Sequence, residues 1–227
     1  MLQEIQPLYD KTIECPVCGK SYTSKKLRSR FLRIEMVDSD FFTKYKDAAL
    51  NPLYYEVSVC PHCGFAIVET FSKKLSVAAK SNFETKVSAN WKNERDFSNV
   101  RTVKESIEAF KLAIISGTVI EEKNIVLAGV CLRLAWLYRI EENAEQENRF
   151  IQFALEKYIK AYELGEFVGT QMTEMRLLYL IGELYRRLNN RDGAIKYFSK
   201  VISHKNKSIE TKLVEMAREQ WYLTKQE

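Results

Sequence analysis

Four cysteines fall in two copies of one short pattern, Cys15-Pro16-Val17-Cys18-Gly19 and Cys60-Pro61-His62-Cys63-Gly64. Two residues between cysteines allow a tight turn that aims both sulfurs at one ion about 2.3 Å away. Pro fixes φ early in that turn, and Gly after the second Cys accepts the left-handed backbone that brings amide N–H groups toward the sulfurs. Two such half-sites close a tetrahedron of thiolates, so Cys15, Cys18, Cys60 and Cys63 are expected to hold one structural Zn2+. Four thiolates leave no open position for water, which excludes a catalytic zinc. His62 sits between ligands and is expected to point outward rather than to coordinate. The fifth cysteine, Cys131, falls on an apolar helical stripe with Leu134 and Tyr138 and is read as a small core residue.

Little else could do chemistry. There are 2 histidines, and no phosphate-cradling glycine loop, nucleophile elbow or His-Glu zinc motif. Asp38 and Asp40 are read as helix caps rather than an acid/base pair. The chain is therefore expected not to be an enzyme.

The elements that must position the cysteines are legible in part. The 41 residues between Cys18 and Cys60 exceed a minimal zinc ribbon. Ser29–Met36, Tyr54–Val59 and Phe65–Thr70 are rich in aromatic and β-branched residues and are expected to be strands. Asp38–Leu50 reads as a short helix with Asp38 or Ser39 as its cap, ended by Asn51-Pro52. The run NPLYYEVSVCPHCGFAIVE, with CPVCGK and DSDFFTKY, resembles the bacterial family known as domain of unknown function 2225. The resemblance covers roughly residues 5–220. It implies the zinc module and a bacterial cytoplasmic location, and it implies no mechanism.

From about Ser72 onward apolar residues recur at three- and four-residue steps, as in helices. Leu178, Ile181-Gly182, Tyr185, Ala194, Phe198 and Val201 fit the tetratricopeptide offsets, with Asn189–Gly193 as the turn. A second unit, with Leu134-Ala135, Tyr138, Ala154, Tyr158 and Ala161, carries about seven extra residues between its halves, implying longer helices or a wider turn. A third, partial unit has Ser106, Phe110 and Ala113, its first helix falling in residues 75–95. Ser208–Leu223 reads as the terminal capping helix of such an array. The expected fold is thus mainly α: a zinc-ribbon-like β module at 1–72, then an α-solenoid-like helical array at 73–227.

In that geometry the first helices line a concave face. Arg176, Tyr179, Glu183, Arg186 and Arg187 would face the groove, joined by Leu132, Trp136 and Arg139 of the upstream unit. Guanidinium forks match carboxylates, so this groove would take a protein partner through an acidic segment or a C-terminal carboxylate. If the arginines merely decorate a solvated surface, Arg176, Arg186 and Arg187 need not share one face.

A competing reading rests on Lys20–Arg33, where Lys20, Lys25, Lys26, Arg28, Arg30 and Arg33 stand without an acid, beside Tyr22 and Phe31. Cations on phosphate and rings on bases would make this strand a nucleic-acid surface. The net charge of +5 is modest for a nucleic-acid binder. No stretch is long or apolar enough for a signal sequence or a membrane span, so the protein is expected to be cytoplasmic, its cysteines metal ligands rather than disulfides. The favoured expectation is a non-catalytic zinc-binding adaptor for protein partners, with homo-oligomerisation left open.

Overall fold

The structure, a computed structural model, describes residues 5–226. It is mainly helical, with small antiparallel strand pairs in the N-terminal half. The chain divides into two compact units. Unit 1 comprises residues 1–37, 43–122 and 136–142, and unit 2 comprises residues 38–42, 123–135 and 143–227. This differs from the expected division at residue 72, because the first two helices are built onto the cysteine module.

In unit 1, β1 (Leu8–Glu14) pairs antiparallel with β2 (Ser21–Leu27) around the first cysteine turn. β3 (Ile34–Val37) pairs with β4 (Thr43–Tyr45), and β5 (Ser58–Val59) pairs with β6 (Ala66–Ile67) around the second turn. The three pairs are separate two-stranded sheets. Two helices follow, α1 (Val77–Lys86) and the longer α2 (Val103–Val119). Ser76 caps α1 by accepting from the Ala79 amide at 3.1 Å. Thr102 and Glu105 form a reciprocal capping box that starts α2.

α2 is fastened to the cysteine module by side chains. Ser106 Oγ donates to the Tyr54 carbonyl at 3.4 Å, Ser116 Oγ accepts from the Ala66 amide at 3.0 Å, and Glu122 accepts from the Ser72 amide at 2.7 Å. Phe110 and Ala113 are fully buried. Ser106, Phe110 and Ala113 lie on α2, and α1 falls within residues 75–95, where the partial third unit is expected to have its first helix; α2 in addition fastens to the metal module.

In unit 2, α3 (Asn124–Ile140, shared with unit 1 from Trp136), α4 (Ala144–Glu163), α5 (Glu174–Arg187), α6 (Arg191–Ile202) and α7 (Thr211–Gln226) follow in order. Asn143, Thr173 and Asn190 cap α4, α5 and α6 through their side chains. α5 ends with Asn189 in the left-handed region at φ 58°. The Asn190 amide reaches the Tyr185 carbonyl, and the Asn189 amide the Arg186 carbonyl, both at 2.9 Å. The turn is thus Leu188–Asn190, and Arg191-Asp192-Gly193 already belong to α6.

The seven extra residues of the upstream pair lie within α4. Three residues separate α3 from α4, as three separate α5 from α6, so the turn is no wider and the second helix is longer. The α5–α6 pair is close-packed: Ala194, Phe198 and Val201 are fully buried, and Cys131 of α3 is buried as expected.

The expected secondary structure needs three corrections. Tyr54–Val59 is not one strand: a 3-10 turn at Pro52–Tyr55 precedes β5, which is Ser58–Val59 alone. Ser29–Met36 is not one strand: a 3-10 turn at Ser29–Phe31 precedes β3. Asp38–Leu50 is not a helix. Residues 38–42 turn between β3 and β4, and Asp47, not Asp38 or Ser39, caps a 3-10 turn at Ala48–Leu50 by accepting from the Ala49 amide at 3.0 Å. β-branched and aromatic residues at 41–45 favour the paired strand, and Phe41 at φ 69° breaks any helix there.

A Cβ added at Gly182 would lie 2.9 Å from the buried Phe198 ring and 3.3 Å from its backbone nitrogen. Ala gains about 1 kcal/mol of helix propensity over Gly, and overpacking a filled core costs about 1–3 kcal/mol. Gly182→Ala is expected to destabilise the protein by a net of up to about 2 kcal/mol in urea unfolding. An unchanged or raised midpoint would show that this helix contact is loose.

Candidate functional site: a four-cysteine centre and an arginine face

Both cysteine turns have the same backbone. The Gly19 amide donates to the Cys15 carbonyl and the Gly64 amide to the Cys60 carbonyl, each at 2.9 Å, with the glycines at φ +70° and +77°. The Cys15 and Cys60 amides close the turns on the carbonyls of Lys20 and Phe65. The four Sγ atoms lie within 4.8 Å of one another, with Cys15–Cys63 at 3.5 Å and Cys18–Cys60 at 3.7 Å. Four sulfurs placed 2.3 Å from a central ion in a tetrahedron would stand about 3.8 Å apart. The donor set and its spacing therefore fit a four-coordinate metal. Cys15, Cys60 and Cys63 are buried and Cys18 is half-buried.

The crowding has an electrostatic consequence. Hydrogen bonding with Cys15 pulls the Cys60 thiol down to about 2, while the Cys15 thiol, through Cys60, is pushed up to about 12 and Cys63 is pushed up as well. Sulfurs this close cannot all carry charge unaided. A divalent cation among them would let all four be thiolates. His62 is exposed, as expected of a turn residue that points outward.

Residues the sequence reading missed support this centre. Trp91 Nε1 donates to the Pro61 carbonyl at 2.9 Å, and Ser88 Oγ donates to the Cys63 carbonyl at 3.0 Å. The Trp91 ring lies 2.6 Å from where a Cβ at Gly64 would sit, so glycine is needed there for space as well as for φ. Arg101 is 5% exposed, and its guanidinium donates to the carbonyls of Phe97 (2.5 Å), Val57 (2.6 Å) and Tyr54 (3.2 Å). Burial lowers its pKa to about 10, so it stays charged at neutral pH. None of these has a spacing signal in sequence.

The groove residues of α5 do share a face, and it is covered. Arg186 makes a two-point pair with Glu183, Nε to Oε2 at 2.9 Å and Nη2 to Oε1 at 2.8 Å, and Glu183 is fully buried. Residues 38–42 lie on this face as part of the same unit. Ser39 Oγ donates to Glu183 Oε1 at 2.7 Å, and the Tyr179 hydroxyl donates to the Ser39 carbonyl at 2.9 Å. Arg187 meets Asp38 at 2.9 Å and Asp40 at 3.4 Å. The Arg176 guanidinium sits over the Phe41 ring, 4.3 Å from its centre, and Phe41 also packs on Tyr179. Burial raises the Tyr179 phenol well above its ordinary range.

Asp38 and Ser39, read in sequence as cap residues, are instead the acidic segment that the arginines hold. Leu132 is buried in unit 2, whereas Trp136 and Arg139 fall in the part of α3 that belongs to unit 1.

The basic run lies in unit 1. Lys25 pairs with Asp10 at 2.7 Å and Lys26 with Glu69 at 3.6 Å, so two of its cations are partly neutralised across the fold. Arg28 stacks over Tyr9 at 4.6 Å and Arg30 over Phe31 at 4.9 Å, and Arg33 is exposed. His204, the other histidine, meets Glu174 at 3.3 Å, and among the described residues the four cysteines form the only metal-type donor set.

The model of a family described as "Uncharacterized protein conserved in bacteria" (DUF2225) matches residues 8–224. An "Uncharacterized protein" of Borreliella burgdorferi is 25% identical over 183 residues, which is 74% of this chain and 65% of that protein. The match thus spans a little under two-thirds of the relative's length. No solved structure matches.

Replacing Arg101 with Met keeps the packing volume and leaves the carbonyls of Tyr54, Val57 and Phe97 without this donor. Each buried acceptor left unsatisfied costs about 1–3 kcal/mol. The Tyr54 carbonyl keeps Ser106 Oγ, so thermal or urea unfolding of Arg101→Met is expected to show a loss of at least about 2 kcal/mol from the other two. A loss below about 1 kcal/mol would mean that water replaces the guanidinium and that Arg101 is not a structural tie.

Proposed function

The chain belongs to the DUF2225 family of bacterial proteins, and from that premise we propose that it is a non-catalytic, cytoplasmic adaptor: a module held by one structural Zn2+, carrying a helical-repeat body that binds a protein partner. The observation that carries the reading is the α5 face, where Arg176, Tyr179 and Arg187 already hold an acidic turn of polypeptide beside the Arg186–Glu183 pair. A helix face that grips main chain, carboxylates and an aromatic ring together has the chemistry of peptide recognition.

Cys15, Cys18, Cys60 and Cys63 would hold the zinc, whose role is to tie together two turns far apart in sequence. Saturated thiolate coordination offers nothing to a substrate. The tetratricopeptide-like spacing of α5 and α6 supports the same use, since such helix pairs stack to present one face. Among the described residues no helix is long and apolar enough to cross a membrane.

A nucleic-acid role for Lys25, Lys26, Arg28, Arg30 and Arg33 is the second reading. The observation favouring it is a recess of about 590 Å³ lined by Tyr9, Arg28 and Arg30. The ion pairs of Lys25 and Lys26 weigh against it.

Affinity capture of the tagged protein from its native cells, with and without nuclease, separates the two. A protein partner that survives nuclease and is lost on Arg176→Ala with Arg187→Ala is the expected result. Material present only without nuclease, and weakened by Lys26→Ala with Arg28→Ala, would replace the adaptor with the nucleic-acid reading.

A further inference from the structure

We propose that Asp38–Phe42 is a displaceable latch, and that the α5 face beneath it takes in trans a partner segment of the same chemistry: two carboxylates one residue apart, followed by an aromatic ring. The inference rests on the adaptor reading and names both the partner's chemistry and its regulation.

The segment's contacts define what fits. Arg187 sits between the carboxylates of Asp38 and Asp40, at 2.9 Å and 3.4 Å. Tyr179 reads the main chain at the Ser39 carbonyl, and Glu183 accepts from Ser39 Oγ at 2.7 Å. Arg176 over the Phe41 ring fixes the aromatic position. Glu183 is itself a filter. It is fully buried and balanced by Arg186 and Arg187, so it rejects a third carboxylate at the Ser39 position and accepts a hydroxyl.

Two features make the latch able to leave. First, it is the tip of an arm whose strands, β3 and β4, form a sheet with each other alone, and every residue of β3 is exposed. Second, the segment's backbone closes on itself, the Asp38 amide on the Phe42 carbonyl at 2.8 Å and the Phe41 amide on the Asp38 carbonyl at 2.9 Å, so the hairpin turn with Phe41 at φ 69° keeps its own hydrogen bonds when it leaves. While seated, a tethered segment acts at an effective concentration on the order of mM, and a partner's apparent affinity falls by the fraction of open molecules. The latch therefore sets a threshold that only a well-matched partner overcomes.

The test uses the full chain and a fluorescent peptide with the sequence of residues 36–43, MVDSDFFT, as the probe. Fluorescence anisotropy is read on the wild-type protein and on the double variant Asp38→Asn, Phe41→Ala. The expected result is binding at least about tenfold tighter to the double variant, and a similar loss when both aspartates of the peptide are changed to asparagine.

Equal affinity for both proteins would overturn the latch and leave the peptide-binding face standing. No binding to either would overturn both. If the double variant does not fold, hydrogen exchange on the wild-type chain decides. Saturating peptide should speed exchange of the amides at 38–42, and unchanged exchange there with peptide bound would overturn displacement. Light scattering identifies the occupant. A wild-type dimer that dissociates in the double variant would make the occupant a second copy of this chain, and would overturn the assignment to a foreign partner.

Discussion

Four cysteine sulfurs within 4.8 Å of one another impose a charge problem, and unit 1 is organised around its solution. Two turns separated by 41 residues of sequence must be brought face to face with their glycines in a left-handed conformation. Neither two-residue strand pair nor isolated hairpin has enough apolar area to hold itself there. What holds them is polar and specific: Trp91 and Ser88 on the second turn, and Arg101 on the carbonyls of 54, 57 and 97. α2, fastened by Ser106, Ser116 and Glu122, completes the frame. The zinc proposed for this centre would convert a conflict among crowded thiols into the strongest tie in the unit, since structural zinc in small modules contributes on the order of 10 kcal/mol.

Unit 2 meets a comparable problem with organic charges. Glu183 is a fully buried carboxylate, and burying one alone would be prohibitive. It is satisfied by Arg186, Arg187 and the Ser39 hydroxyl. The same arginine that balances it also reaches Asp38 and Asp40, so the segment 38–42 completes the charge arrangement of α5. An open α5 face would leave Arg187 short of two partners. This is why the face, once its own segment is withdrawn, is suited to another acidic one.

The cysteine centre was the most legible part of the sequence, because metal geometry dictates residue types and spacing at short range. The α5–α6 contact was legible for a similar reason: Gly182, Ala194 and Phe198 meet at fixed helical offsets. The grouping of Arg176, Tyr179, Arg186 and Arg187 followed from the tetratricopeptide groove geometry carried onto this helix pair. What covers them did not, because Asp38 and Ser39 resemble helix caps in sequence, and only a contact across more than a hundred residues reveals their use. Arg101 and Trp91 were missed for the same cause: a side chain that satisfies distant carbonyls has no local pattern. The attachment of α2 to the cysteine module was not legible either, because Ser106 and Ser116 meet backbone groups about fifty residues away.

The central claim is that Cys15, Cys18, Cys60 and Cys63 together hold one zinc. X-ray absorption at the zinc edge, on protein purified without added metal and quantified for metal content, tests it most directly. The account expects one zinc per chain with a first shell of sulfur alone at about 2.3 Å. A metal-free protein that keeps its fold, or a zinc whose shell contains nitrogen or oxygen, would contradict it.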